Sequence, residues 1–222
     1  MPVADRVDPE RVRLLELSVP TVDALAEGDL RRANATAPVP LPAVFVAEGW
    51  ISTWRFRSAQ LREDPTVTSW VTGAIWDSVA QLVAGKAGFH APPDDTGMVE
   101  VGYAVVPELR RRGYARAALE ALLRRAATEP AVRVVRASVR PDNRASSRLI
   151  APYGFLPVGE QEDEEDGLEI VYEVDPRSRS LQLGLSGLGR SGLGRSGLGR
   201  SGLGESGLGE SGLAGPSTAG RG

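Results

Sequence analysis

The chain has 222 residues, 41% apolar and 25% charged, which is enough for one ordinary globular domain with its own core. Its formal net charge of −3 gives no bulk attraction for nucleic acid. It has no cysteine and one histidine, His90, which excludes disulfides, thiolate nucleophiles, zinc–cysteine centres and multi-histidine metal sites.

The opening MPVADRVDPERV lacks the apolar core of a signal peptide, and no apolar run reaches the ~20 residues of a membrane helix. A cytoplasmic chain without membrane, nucleic-acid or metal partners is expected. Arg13 to Leu17 reads as a first strand, followed by Pro20. Thr21 to Ala26 reads as a helix with Thr21 at or near its N-cap, ending by Gly28. Asp29 to Ala35 suits another short helix, and the prolines at 38, 40 and 42 suit an irregular start to residues 36–50. Trp50 to Arg62 is expected to be helical, stopped before Pro65. Thr68 to Trp76 and Ala80 to Gly88 read as a hairpin turning at Asp77-Ser78.

Asp94 to Gly97 supplies a turn before the next strand, Met98 to Val106. A basic turn, Arg110-Arg111-Arg112-Gly113-Tyr114-Ala115, then opens a helix. Ala115, Ala118, Leu119, Leu122, Leu123 and Ala126 follow the spacing of one buried stripe, with Arg116, Glu120 and Arg124 on the outer face. The first amides of a helix lack intrahelical partners and carry partial positive charge, so this turn reads as an anion cradle. Val132 to Val139 is β-branched and reads as a strand. Asp142 or Asn143 can cap a short helix that Pro152 stops. Phe155 to Val158 and Leu168 to Val174 read as a last strand pair around the acidic run 160–166. Of the 26 glycines, 15 lie between Gly184 and Gly222 in Ser-Gly-Leu-Gly repeats, too many for one leucine per repeat to order. The expected organisation is a mixed α/β domain at 1–177, with a mainly antiparallel central sheet flanked by helices, and a disordered tail at 178–222. The tail reads as an expanded repeat or as a weak interaction segment.

Arg110-x-x-Gly113-x-Ala115 resembles the (Gln/Arg)-x-x-Gly-x-(Gly/Ala) signature of the GNAT acetyltransferase superfamily. Glu100-Val101-Gly102-Tyr103 is similar to an element of its ribosomal-protein N-terminal (alanine) acetyltransferase branch. Downstream, Asn143, Ser146 and Gly154-Phe155 resemble the asparagine–serine…Gly-Phe element after the family's fifth strand. The two motifs stand in the right order on either side of a strand.

The resemblance implies that Arg110, Arg111, Arg112, Gly113, Tyr114 and Ala115 hold the pyrophosphate of acetyl-coenzyme A, mainly through backbone amides. It implies that Asn143 holds the pantetheine arm. It further implies a fourth strand that is bulged and splayed from the fifth, with a backbone N–H near Ala104, Val105 or Val106 meeting the thioester carbonyl. Strand parity sets Glu100, Gly102 and Ala104 on one face. Glu100 reads as a general base with a raised pKa, or as a structural carboxylate. The tyrosine that many family members use as general acid is replaced by Ile150, which leaves Ser146 as first substitute and Tyr153 as second. Ser146 reads equally as a cap or a cofactor contact, and Tyr153 as a packing residue. Arg140, Arg144 and Arg148 read as 3′-phosphate ligands or as solvated cations, and His90 as a surface or structural residue. Trp50, Trp54 and Phe56 read as pocket walls or core. The acidic hairpin reads as a solvated loop or as a field for a cationic acceptor.

The expected function is transfer of an acetyl group from acetyl-coenzyme A to a primary amine, a protein N-terminus or a small molecule, by direct attack. The alternative is a non-catalytic acyl-coenzyme A-binding module. A monomer or homodimer is expected.

Overall fold

The structure, a computed structural model, describes residues 7–163 and 167–187. In chain order its elements are β1 (Val12–Glu16), α1 (Val19–Ala26), α2 (Leu30–Thr36), α3 (Glu48–Glu63), α4 (Thr68–Val71), β2 (Gly73–Asp77), β3 (Leu82–Phe89) and β4 (Met98–Val105). Then follow α5 (Tyr114–Thr128), β5 (Val134–Val139), α6 (Arg144–Ile150), β6 (Leu156–Asp163), β7 (Gly167–Val174) and α7 (Arg179–Gly187). The strands form one sheet in the order β1-β2-β3-β4-β5-β7-β6. Every neighbouring pair is antiparallel except β4 and β5.

Period-two alternation sorts the strand side chains onto two cores. Ile75, Ala84, Val99, Val101 and Val105 pack with Leu119, Leu122 and Leu123 of α5 on one face. Ala74 and Val83 pack with Leu25 of α1 and Trp54 of α3 on the other. The mixed, mainly antiparallel sheet between helical layers matches the expected fold class.

The parallel junction positions everything that follows. β4 and β5 pair only from Met98 to Glu100 against Val134 to Arg136. Beyond Glu100 the strands part, because β5 turns to pair with β7 through Val139 while β4 stays on β3 through Val105. The expected splay is therefore present. The expected bulge in β4 is not: its register with β3 runs unbroken from Val101 to Val105, and the register shifts lie between β2 and β3 at Ile75/Trp76 and between β6 and β7 at Pro157/Gly159.

Several expected boundaries shift. Thr68 to Val71 is helical rather than extended. The Thr68 hydroxyl donates to the Pro65 carbonyl at 2.6 Å and the Thr72 hydroxyl to that of Thr68 at 3.1 Å, and these local bonds outweigh β-branched propensity. β6 continues through the acidic run to Asp163, so Glu160 to Asp163 is strand; residues 164–166 lie outside the described residues. Glu120 is not on a solvated face. It is 2% exposed and accepts from Arg116 and Arg124, each at 3.0 Å, and from the Tyr153 hydroxyl at 2.8 Å. The segment after Pro176 continues as α7, with Leu181 fully buried, and the repeats from residue 188 lie outside the described residues. Among the described residues, no helix is long and apolar enough to cross a membrane.

Candidate active site

The basic turn opens α5 without a side-chain cap. Arg111 (φ +65°) and Gly113 (φ +101°) both adopt left-handed backbone, a conformation that turns successive amides toward one concavity. Gly113 needs the freedom that glycine has at such an angle. The amides of Gly113, Tyr114, Ala115 and Arg116 find no acceptor among the described residues, since the first helical bond is from Ala117 to Gly113. They face a cavity of ≈ 660 Å³ lined also by Arg110, Arg111, Val105, Asn143 and Ser146. A phosphate-bearing ligand fits this concavity: amides with free hydrogens, a helix N-terminus and Arg110, Arg111 and Arg116 line it.

Two residues expected there are elsewhere. Val106 is 8% exposed, its side chain packs under α1 and α3, and its N–H donates to the Ala84 carbonyl at 2.9 Å. It has no donor left for a ligand. Arg112 does not line the cavity; its carbonyl accepts from Val7 N–H at 2.9 Å, which ties the N-terminal segment to the turn. None of Arg140, Arg144 and Arg148 lines this cavity either, and Arg140 bonds Asp142 at 2.9 Å.

Ladder parity decides which β4 amides are free. His90 N–H donates to the Glu100 carbonyl at 2.8 Å and Val106 N–H to Ala84, so Glu100, Gly102, Ala104 and Val106 turn their backbone groups toward β3. Val101, Tyr103 and Val105 turn theirs into the splay. The expected donor at Ala104 is thus committed to the sheet, and Tyr103 and Val105 carry the amides aimed at the gap. The Arg110 side chain reaches the Val105 carbonyl there at 3.3 Å.

Asn143 caps α6, its side-chain oxygen accepting from Ser146 N–H at 3.1 Å, which fixes both residues at the cavity wall. Burial pushes the Tyr103 phenol up, and the neighbouring Ser146 hydroxyl offsets part of that rise. Ile150 is in the core at 1% exposure, and Tyr153 is fully buried with its hydroxyl spent on Glu120. Tyr153 is therefore a packing residue; of the hydroxyl-bearing residues that line the cavity, Tyr114 is bonded to Asp77, which leaves Ser146 and Tyr103.

Glu100 opens onto a second, polar cavity of ≈ 400 Å³ at the splay, shared with His90, Tyr103, Ser146, Gln161, Asp163 and Glu169. The acidic strand β6 does contribute to a ligand-sized space, through Asp163 and its neighbour in parity, Gln161. Glu100 is 16% exposed and lies 3.9 Å from His90 Nδ1. From sequence His90 reads as a surface or structural residue; the β3–β4 register is what brings it beside Glu100. Burial lowers its pKa, Glu100 raises it, and Arg57 adds to the lowering. A Cβ at Gly102 would come within 2.8 Å of His90 Nε2, so this glycine leaves the imidazole its place.

A third cavity of ≈ 340 Å³ shares His90, Gly102 and Tyr103 with the second. Trp50 and Trp54 of α3 form its wall, as one reading of the sequence had it, whereas Phe56 is 62% exposed and points away. Lys86 Nζ lies 4.9 and 5.0 Å from the two indole centroids. Arg57, 7% exposed, donates to the His90 carbonyl at 2.7 Å and to Gln60 at 2.9 Å. Among the described residues no group of three or more histidine and acidic side chains could hold a metal ion.

Comparison with known proteins bears on this arrangement. Residues 20–156 match the model of the acetyltransferase (GNAT) domain family. An uncharacterized N-acetyltransferase of Bacillus subtilis, YjdG, is 26% identical over 157 residues, 68% of this chain and 89% of that protein. Among solved structures, RimJ of Mycobacterium smegmatis in complex with CoA-disulfide is similar with a TM-score of 0.54 and 19% identity, over 79% of this chain and 89% of that one. The ribosomal-protein-S5-alanine acetyltransferase of Vibrio fischeri is similar with a TM-score of 0.52 and 16% identity, over 78% and 97%.

Proposed function

The chain belongs to the GNAT acetyltransferase family and is an acetyl-coenzyme A-dependent N-acetyltransferase, and we propose that its acceptor amine attacks the thioester directly at the β4–β5 splay. The observation that carries this reading is one continuous segment, Glu100 to Ala115. It holds a candidate base, amides turned into the splay and an uncapped phosphate turn in succession. Acetyl-coenzyme A supplies the activated acetyl group; the chain's residues bind, orient and move protons.

The amides of Gly113, Tyr114 and Ala115, with Arg110 and Arg111, hold the pyrophosphate. The Asn143 amide nitrogen, left free by the cap, holds the pantetheine arm. Tyr103 and Val105 N–H are aimed where negative charge develops on the carbonyl oxygen, a contribution of about 3 kcal/mol for one well-placed donor. Glu100, directly or through one water, takes the proton of the attacking ammonium, and His90 positions its carboxylate. Ser146 or Tyr103 returns a proton to the departing thiolate. The name of the similar Vibrio fischeri protein, a ribosomal-protein-S5-alanine acetyltransferase, supports a protein N-terminus as one acceptor class, and small-molecule amines are the other. An acceptor screen read by thiol release and by a mass gain of one acetyl group tests the proposal. Thiol release without an acetylated amine would reject it.

A further inference from the structure

Lys86 and Arg57 are two cations at one cavity without a carboxylate partner among the described residues. Arg57 is held by the His90 carbonyl and the Gln60 amide oxygen and lies over the Phe56 ring, 5.3 Å from its centroid. Lys86 meets two indole faces and, among the described residues, no hydrogen-bond acceptor. Burial, with Arg57 adding to it, pushes the Lys86 ammonium down to about 7, and burial pushes Arg57 down to about 10. Such a pair is left short of negative charge, and an anion entering the cavity would complete it.

The placement says what that anion belongs to. Lys86 stands opposite Ala104 in the β3–β4 register, one residue from Tyr103, whose amide faces the splay. The cavity of Lys86 borders the cavity of Glu100, with His90, Gly102 and Tyr103 lining both. One molecule spanning that border would put an ammonium near Glu100 and an oxyanion near Lys86. We propose that the acceptor is a small amine that also carries an oxyanion, a carboxylate or a phosphate, bound by Lys86 and Arg57 against Trp50 and Trp54. The orientation of the amine rests on the acetyl-transfer reading above; the oxyanion site does not. A polycation without an anionic group is disfavoured by the same two charges.

Two measurements on the full chain test this. In the first, 4-aminobutyrate and phosphoethanolamine are compared with butylamine and spermidine as acceptors of acetyl-coenzyme A. The oxyanion-bearing amines should have kcat/KM about tenfold or more above butylamine, the size expected of one charge-assisted contact. Lys86→Met, which keeps the apolar stem on the indoles, should erase that preference by raising KM with kcat held. The carboxylate and phosphate arms tell which oxyanion is preferred. In the second, tryptophan fluorescence follows 4-aminobutyrate and inorganic phosphate without acetyl-coenzyme A, in wild type and in Lys86→Met. A saturable change lost in the variant supports the site. Butylamine or spermidine turning over as well as the oxyanion-bearing amines overturns the proposal, as does a preference that survives in a Lys86→Met protein that still binds coenzyme A. Lys86-dependent binding with no turnover of any amine would keep the oxyanion site and remove the transfer reading. Absence of both would remove the oxyanion site.

Discussion

The Tyr114 hydroxyl donates to Asp77 Oδ2 at 2.8 Å, linking the first residue of α5 to the end of β2. Asp77 is fully buried and also accepts from Arg11 and from the amides of Val79 and Ala80. One carboxylate thus ties the segment before β1, the β2–β3 turn and the helix that presents the phosphate turn. Removing Asp77 leaves Arg11 and a buried tyrosine unpartnered, so Asp77→Ala should lower unfolding free energy by about 3 kcal/mol. Tyr114→Phe should cost about 1–2 kcal/mol. Chemical denaturation checks both.

The same carboxylate sets an acid limb. Burial acts to raise its pKa, but the bonds from Arg11, Ala80 N–H, Tyr114 and Val79 N–H outweigh it and hold Asp77 down to about 2. Its unfolded value is about 3.9. A depressed folded pKa gives stability that is full above about pH 4 and lost as pH falls toward 2. Asp77→Asn should flatten this part of the pH–stability curve. An unchanged slope between pH 4 and 2 would assign the acid limb to other groups.

Gly113 sits at φ +101° in the turn whose amides are free. Gly113→Val forces a β-branched residue into a left-handed angle at a cost of about 1–3 kcal/mol, or re-aims the amides. Coenzyme A affinity should fall about tenfold or more by calorimetry. Gly159→Ala, where an added Cβ meets nothing within 4 Å, is the matched control and should leave affinity unchanged.

The proton for the thiolate gives a fourth prediction. Ser146 and Tyr103 line the same cavity, whereas Tyr153 is spent on Glu120. Loss of the general acid should lower kcat by about 10²-fold. Tyr103→Phe and Ser146→Ala, measured separately, identify which hydroxyl acts. A Tyr153→Phe variant should instead lose stability while keeping kcat. Equal, small kcat losses in all three would show that solvent protonates the leaving group.

How much of this was legible in the sequence follows from the range of each interaction. The α5 stripe and the turn that opens the helix are local patterns, and the structure keeps them; the splay was foreseen only by family likeness. Thr68 to Val71 misled because β-branching says strand, while the bonds of Thr68 and Thr72 hydroxyls to carbonyls three and four residues back are visible only in geometry. Glu120 misled because an i, i+4 charge pattern normally marks solvent, and its partner Tyr153 is 33 residues away. His90 and Lys86 gave no signal of their own. Their meaning comes from antiparallel register, which sets His90 beside Glu100 and Lys86 opposite Ala104. Ala104 and Val106 were named for amides that the β3 ladder uses, a matter of parity that one strand read alone does not reveal.

The most direct test of the account is Glu100→Gln, assayed side by side for turnover and for coenzyme A binding with an acceptor found in the screen. The account predicts that kcat falls about 10²-fold while coenzyme A affinity stays at the wild-type level. Wild-type turnover in that variant, with its fold intact, would contradict Glu100 as the base at the splay.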